Sequence, residues 1–247
     1  MKLWKVLDID RKCCHGAKGQ WPLPGQWTEV KDELVPCNNG LHLCREIDLI
    51  RWMGPEIWEV EIEGEFIAFT DKIVARKARL IRKLETWNRK TARLFACYCA
   101  ELVLPIFESK YPNDKRSRIA IETAKNFADD KATTEELQIA DAAAYAAYAA
   151  AAAYAAAAYA AYVAYAAADA YAAYAAAAYA AAAYAAYAAA AAAYAAYAAS
   201  AAAAADAADA AADAAADAAA ADAAYAAAAI REKMTTKLME ILYGSQE

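Results

Sequence analysis

Cys13, Cys14, His15, Cys37, His42 and Cys44 bring soft-ligand side chains together between residues 13 and 44, and both histidines of the chain are among them. Two chemistries use these residue types. Zinc takes four such groups in a tetrahedron, usually from Cys-x₂₋₄-Cys knuckles. A thiol activated by a neighbouring imidazole serves as a nucleophile. Here the spacings are Cys-Cys-His and Cys-x₄-His-x-Cys, and neither is a standard knuckle. If a metal set forms, its members are Cys37, His42, Cys44 and Cys14. The competing expectation is a pair of small buried thiols around a turn, with His42 bonded to backbone. That second arrangement is the one expected, with no cofactor and no stoichiometric zinc. No local signature marks a nucleophilic cysteine and no third group to orient a histidine base is evident, so the chain is not expected to be an enzyme.

Lys72, Arg76, Lys77, Arg79, Arg82, Lys83, Arg89, Lys90 and Arg93, with Trp87 among them, form the one basic patch of the sequence. Such a patch can hold phosphate or nucleic acid, or it can be a solvated surface. The balance of charge argues for the second. The net charge is −6, and residues 141–247 hold 3 of the 26 basic groups but 10 of the 32 acidic ones. Nucleic acid is therefore not expected as a partner. Cys97 and Cys99, two apart in a helical pattern, do not face each other and read as core.

The elements that must position these groups lie in residues 1–88, which contain all six tryptophans and every glycine except Gly244. LWKVLDI at 3–9 reads as a strand. Residues 11–27 are a loop rich in glycine and proline, and VPCNNGLHLC at 35–44 holds an Asn-Gly turn before a short apolar run. REIDLIRWM at 45–53 is predicted as a short helix ended by Gly54-Pro55. IWEVEIEGEFIAF at 57–69 alternates apolar and charged residues, a strand signal with a turn or bulge at Gly64. IVARKARLIRKL at 73–84 is ambiguous, leaning to strand in its second half. These patterns predict a small mixed domain.

Residues 89–140 read as a helical connector. TARLFACYCAELVLPIFE at 91–108 is an amphipathic helix with a stop or kink at Pro105, and KRSRIAIETAKNFAD at 115–129 is a second. Thr133-Thr134-Glu135-Glu136 is a capping-box start for a third, which runs into residues 141–247. That last region is almost wholly alanine and tyrosine, and alanine is the strongest helix former. At about 100° per residue, Tyr148, Tyr159 and Tyr162 share a side while Tyr154, Tyr165 and Tyr179 lie on another, about 110° round the helix. Rings on every side would be left in water on a free rod, so packed helices, a bundle or self-association are expected. Asp206, Asp209, Asp213 and Asp217 form an acidic stripe. The uncharged runs at 142–168 and 170–205 lack Leu, Ile and Phe and have no basic flanks, so a membrane span is not expected. Ile230, Met234, Leu238, Ile241 and Leu242 form an apolar stripe expected to dock on the helical body. The predicted class is α+β: a small mixed domain at 1–88, the connector at 89–140, and an alanine- and tyrosine-rich helical domain at 141–247.

The block VPCNNGLHLC, followed by IWEVEIEGEF and DKIVARKARLIRKL, resembles an uncharacterised domain of bacteriophage and prophage proteins. That domain pairs a Cys-x-x-Gly-(Phe/Leu)-His-x-Cys element with a Val-Glu-x-x-Gly strand. FACYCAELVLPIFE, RIAIETAKNFA and the alanine-rich tail resemble helical immunity proteins of polymorphic toxin systems. Neither resemblance implies a catalytic residue. The preferred reading is a non-enzymatic interaction protein, phage or prophage encoded, that binds a protein partner or itself as a homo-oligomer; the alternatives are an inhibitor of a toxin or host defence factor, and a metal or cysteine-dependent protein. The interaction residues expected are Tyr148, Tyr159, Tyr162 and the four aspartates of the stripe. The N-terminus lacks a signal-peptide pattern, and six cysteines without one suit a cytoplasmic protein with reduced thiols.

Overall fold

The computed structural model describes residues 1–15, 17–151, 225 and 228–244. The class is α+β: an N-terminal antiparallel sheet followed by helices. The strands are β1 (Leu3–Leu7), β2 (Thr28–Glu29), β3 (Leu41–Leu43), β4 (Glu56–Ala68) and β5 (Ile73–Lys83). The helices are α1 (Arg89–Lys110), α2 (Arg116–Ala128), α3 (Thr134–Ala151) and α4 at 228–243.

Period-two alternation builds the sheet. β4 and β5 form its central antiparallel pair, β1 adds to the free edge of β4, and β2 and β3 both pair with β5. Trp4 and Cys44 then exchange backbone hydrogen bonds of 2.9 and 2.8 Å. The pairing therefore runs from β1 through β4, β5 and β3 and, by this one bridge just beyond β3, back to β1 in a closed ring. Leu3 and Leu7, Trp58 and Val60, Ile73, Ala75, Ala78 and Leu80 point to one side and share a core with Leu43 and Trp21. The register slips between Glu63 and Phe66, where Gly64 takes φ +83°, a left-handed conformation natural to glycine.

On the other side of the β4–β5 pair the charges meet across the strands. Arg82 pairs with Glu59 at 2.6 Å, Arg79 with Glu61 at 2.6 Å, Lys77 with Glu63 at 2.8 Å and Arg76 with Glu65 at 2.7 Å. The β5 part of the basic patch predicted from sequence, Arg76, Lys77, Arg79 and Arg82, is thus half of a ladder whose other half is supplied by β4, and these four cations are neutralised within the sheet. Three local expectations become definite. Residues 73–83 are strand throughout, because the ambiguous first half, Ile73–Ala75, is buried and paired to β3 and β4. Residues 46–51 form a 3₁₀ rather than an α-helical segment, whose start is held by Asp48, 1% exposed, accepting from the backbone and side chain of Arg45. Pro105 does not stop α1, which continues through buried Phe107 to Lys110; packing of the last turns outweighs one missing backbone donor.

The chain divides into two compact units, residues 1–92 with 234–247, and residues 93–233. This differs from the divisions at 88 and 140 read from sequence, and it corrects one expectation outright. Residues 234–244 belong with the sheet and not with the helical body. Met234, Leu238 and Leu242 are buried, and Tyr243 Oη accepts from Trp4 Nε1 at 2.8 Å and donates to Glu59 at 2.7 Å. The Lys2 ammonium lies 3.5 Å from the Tyr243 ring centre.

Asn88 Oδ1 accepts the backbone N–H groups of Lys90 and Thr91, capping the start of α1. Phe95, Ala96, Cys97, Cys99 and Ala100 are buried along α1, in line with the core role expected of the two cysteines. Cys97 Sγ contacts the Ile121 carbonyl of α2, and Lys125 and Arg118 of α2 pair with Glu101 and Glu108 of α1. The capping box forms as expected: Glu136 N–H donates to Thr133 Oγ1, while Thr133 N–H donates to Glu136 Oε2 at 2.7 Å. α2 and α3 meet through Ala120, Ala140 and Ala144. Tyr148 lies on α3, its side chain outside the description; Tyr159, Tyr162, Asp206, Asp209, Asp213 and Asp217 lie outside the described residues, as does the packing expected of the tract. No helix among the described residues is long and apolar enough to cross a membrane.

Candidate functional site: a Cys/His-lined pocket on the sheet

The Cys/His cluster does converge. Cys14, His15, Cys37, His42 and Cys44 line one pocket of about 280 Å³, together with Lys5, Val6, Ala17, Leu43, Trp52 and Lys72. β1 supplies Lys5 and Val6, β3 supplies His42 and Leu43, and the loops at 14–17 and 37–40 supply Cys14, His15, Ala17 and Cys37. Gly40, at φ +151°, lets the second loop pass against β5, where a methyl group would collide with Val74 Cγ1. Gly54 packs closely on Val6 near Cys14.

Among the described residues no three Cys, His, Asp or Glu side chains come together to hold an ion. The Nε2 of His42 accepts the Cys37 backbone N–H at 3.1 Å, so this ring nitrogen is already engaged, the backbone bond expected from sequence. Burial pushes the Cys44 thiol up to about 12, with the nearby Lys5 charge opposing, and burial likewise raises Cys14, whose Sγ lies 3.5 Å from the Val6 carbonyl. Both are thiols at neutral pH. All six cysteines are unpaired.

Sequence reasoning missed Lys5 and Trp52, and it placed Lys72 in the basic patch rather than in this pocket. Lys5 occupies the inward-facing position between Leu3 and Leu7 on β1, and its Nζ donates to the His42 carbonyl at 2.9 Å and lies 5.5 Å from the Trp21 ring centre. A lysine at an inward period-two position was the available signal. Lys72 donates to Cys37 Sγ at 3.3 Å and sits 5.3 Å from the ring centre of Trp52. Trp52 also meets His15 edge-on, with ring centres 5.5 Å apart, and His15 Nε2 lies 3.0 Å from the Trp52 carbonyl. Burial lowers the His42 pKa, and the positive charges of Lys5 and Lys72 lower it further. Burial also lowers that of Lys5.

Residues 1–91 match the model of DUF7666, a domain of unknown function. The match covers the strands and every residue that lines the pocket, and it stops at the start of α1. No curated protein and no solved structure was found to match the chain. The DUF7666-like segment is a ring-closed sheet carrying a small pocket lined by two lysines, two histidines and three cysteines.

Proposed function

We propose that the chain is a non-enzymatic interaction protein whose helical unit docks a protein partner or a second copy of itself. The observation that carries this reading is a groove of about 350 Å³ along α2 and α3. Ile119 and Ile139 line it and are 52% and 64% exposed, although both belong to helices with well-buried opposite faces. Large aliphatic residues that rim a groove mark a recognition surface more often than single exposed ones do. Thr123, Asn126, Lys131 and Glu136 supply polar groups around it. The pocket chemistry supports the non-enzymatic part, since Cys14 and Cys44 are held as neutral thiols and Nε2 of His42 is occupied. The cross-strand pairing of the β5 cations, Arg76 to Lys83, supports a protein rather than a nucleic acid as partner. A toxin or host defence factor is the special case in which this chain acts as an inhibitor.

The test is capture and size. Tagged full-length chain is passed through host lysate, and its mass in solution is measured by light scattering. A stoichiometric protein partner or a defined oligomer is expected, lost in the Ile119→Asp/Ile139→Asp double variant with helix content retained. A monomer that captures nothing, or a variant that assembles as the parent does, overturns the proposal.

A further inference from the structure

The pocket on the sheet has a chemistry of its own, separate from the groove of the helical unit. Its described lining includes Lys5, Lys72, His15 and His42 but no aspartate or glutamate, in a chain whose net charge is −6. Every other lysine or arginine discussed for this sheet, from Arg76 to Lys83, has a carboxylate within 3.1 Å. Lys5 has none. Its described contacts are one carbonyl oxygen and the Trp21 ring, which leaves two of its three N–H donors without a described acceptor. Lys72 has Asp71 only at 4.0 Å, at the limit of an ion pair, and spends its close contacts on Cys37 Sγ and Trp52. Asp71 is the carboxylate that would compete for it, and it does not line the pocket. A partly buried ammonium group is costly unless a negative group answers it.

We propose that this pocket binds a small organic anion, a carboxylate or a phosphate monoester on a compact apolar body, with Lys5 and Lys72 holding the charge and Val6, Leu43 and Trp52 holding the body. The volume of about 280 Å³ lies at the small end of ligand sites, which run roughly 300–1,000 Å³, and selects a molecule the size of a single ring. Carboxylate and phosphate share the recognition chemistry: an oxygen anion meeting ammonium donors. Phosphate carries the greater charge, so the ranking of the two separates them.

The experiment is calorimetric titration of the full chain with benzoate, with phenyl phosphate and with neutral benzyl alcohol at moderate ionic strength. Saturable one-to-one binding of at least one anion is expected, with the alcohol at least tenfold weaker. Lys72→Met, which keeps the stem and removes the charge, is expected to weaken the anion at least tenfold while leaving the melting temperature close to that of the parent. Lys5→Met is expected to do the same; if that variant fails to fold, Lys72→Met decides alone. Failure of both anions to bind, equal binding of the alcohol, or parental affinity in Lys72→Met overturns the proposal. None of these outcomes depends on whether the helical groove has a partner.

Discussion

Glu59 shows how one side chain ties distant parts of the sheet unit together. Its carboxylate accepts from Arg82 across the sheet, from Tyr243 near the end of the chain, and pairs with Lys2 at 3.3 Å. The Arg82 hydrogen bonds are the largest influence and hold its pKa down at about 2 against the opposing effect of burial, with Tyr243 and Lys2 adding to the lowering. Its folded pKa is depressed, so its contribution to stability is fully present above the ordinary glutamate range. That contribution is lost as pH falls from about 4.5 through about 2. Glu59→Gln is expected to cost roughly 1–3 kcal/mol near neutral pH, and the gap from the parent should close as pH falls through this window. Urea unfolding of both proteins from pH 6 to pH 2 measures it, and a gap that does not narrow would contradict the assignment.

At the scale of elements, the box that starts α3 is a local device whose contribution can be measured. Thr133 Oγ1 satisfies the Glu136 N–H, and the Glu136 carboxylate satisfies both the N–H and the hydroxyl of Thr133. Those contacts lower the Glu136 pKa, the backbone bond from Thr133 being the larger cause. Thr133→Ala removes one half of the exchange and is expected to cost about 0.5–2 kcal/mol. Thermal melting followed by circular dichroism reads it; Thr133→Ser, which keeps the hydroxyl, should recover most of the loss.

For the whole molecule, the consequential feature is that residues 234–247 complete the same compact unit as residues 1–92. Met234 and Leu238 are fully buried and Leu242 is 3% exposed, while the Leu242 carbonyl accepts from Thr86 Oγ1 at 3.0 Å. Each such side chain contributes roughly 1.5–3 kcal/mol on burial, and Trp4 Nε1 would lose the Tyr243 hydroxyl as acceptor. Removing residues 234–247 is therefore expected to lower stability by several kcal/mol, about 5 or more by the same burial arithmetic. Hydrogen exchange should show the loss in β1 and β4 first, because Trp4 and Glu59 are the groups that Tyr243 contacts. Unchanged protection of those strands would show that the sheet does not need the terminal segment.

Local patterns were enough to reveal much of this. Alternation in IWEVEIEGEF, the glycine at 64, the Thr133–Glu136 box and the apolar stripe of 230–242 are short-range signals, and each produced the element it specifies, because propensity and capping depend on neighbours within a few residues. The grouping of Cys14, His15, Cys37, His42 and Cys44 was visible as a cluster in the sequence, but its meaning was not. Whether five ligand-type side chains surround an ion or merely line one pocket is set by strand register and by loops, which are long-range. The Trp4–Cys44 bridge closes the ring of strands and brings β1 beside β3. Only that closure places Lys5 against the His42 carbonyl, and only the β4–β5 register matches the basic residues of one strand to the glutamates of the other. The side on which the terminal stripe docks was likewise undetermined by its pattern, since an apolar helix face records that it will be buried and not against what. The tertiary structure made that choice through Trp4, Tyr243 and Glu59, three residues that a sequence reading in short windows does not bring together.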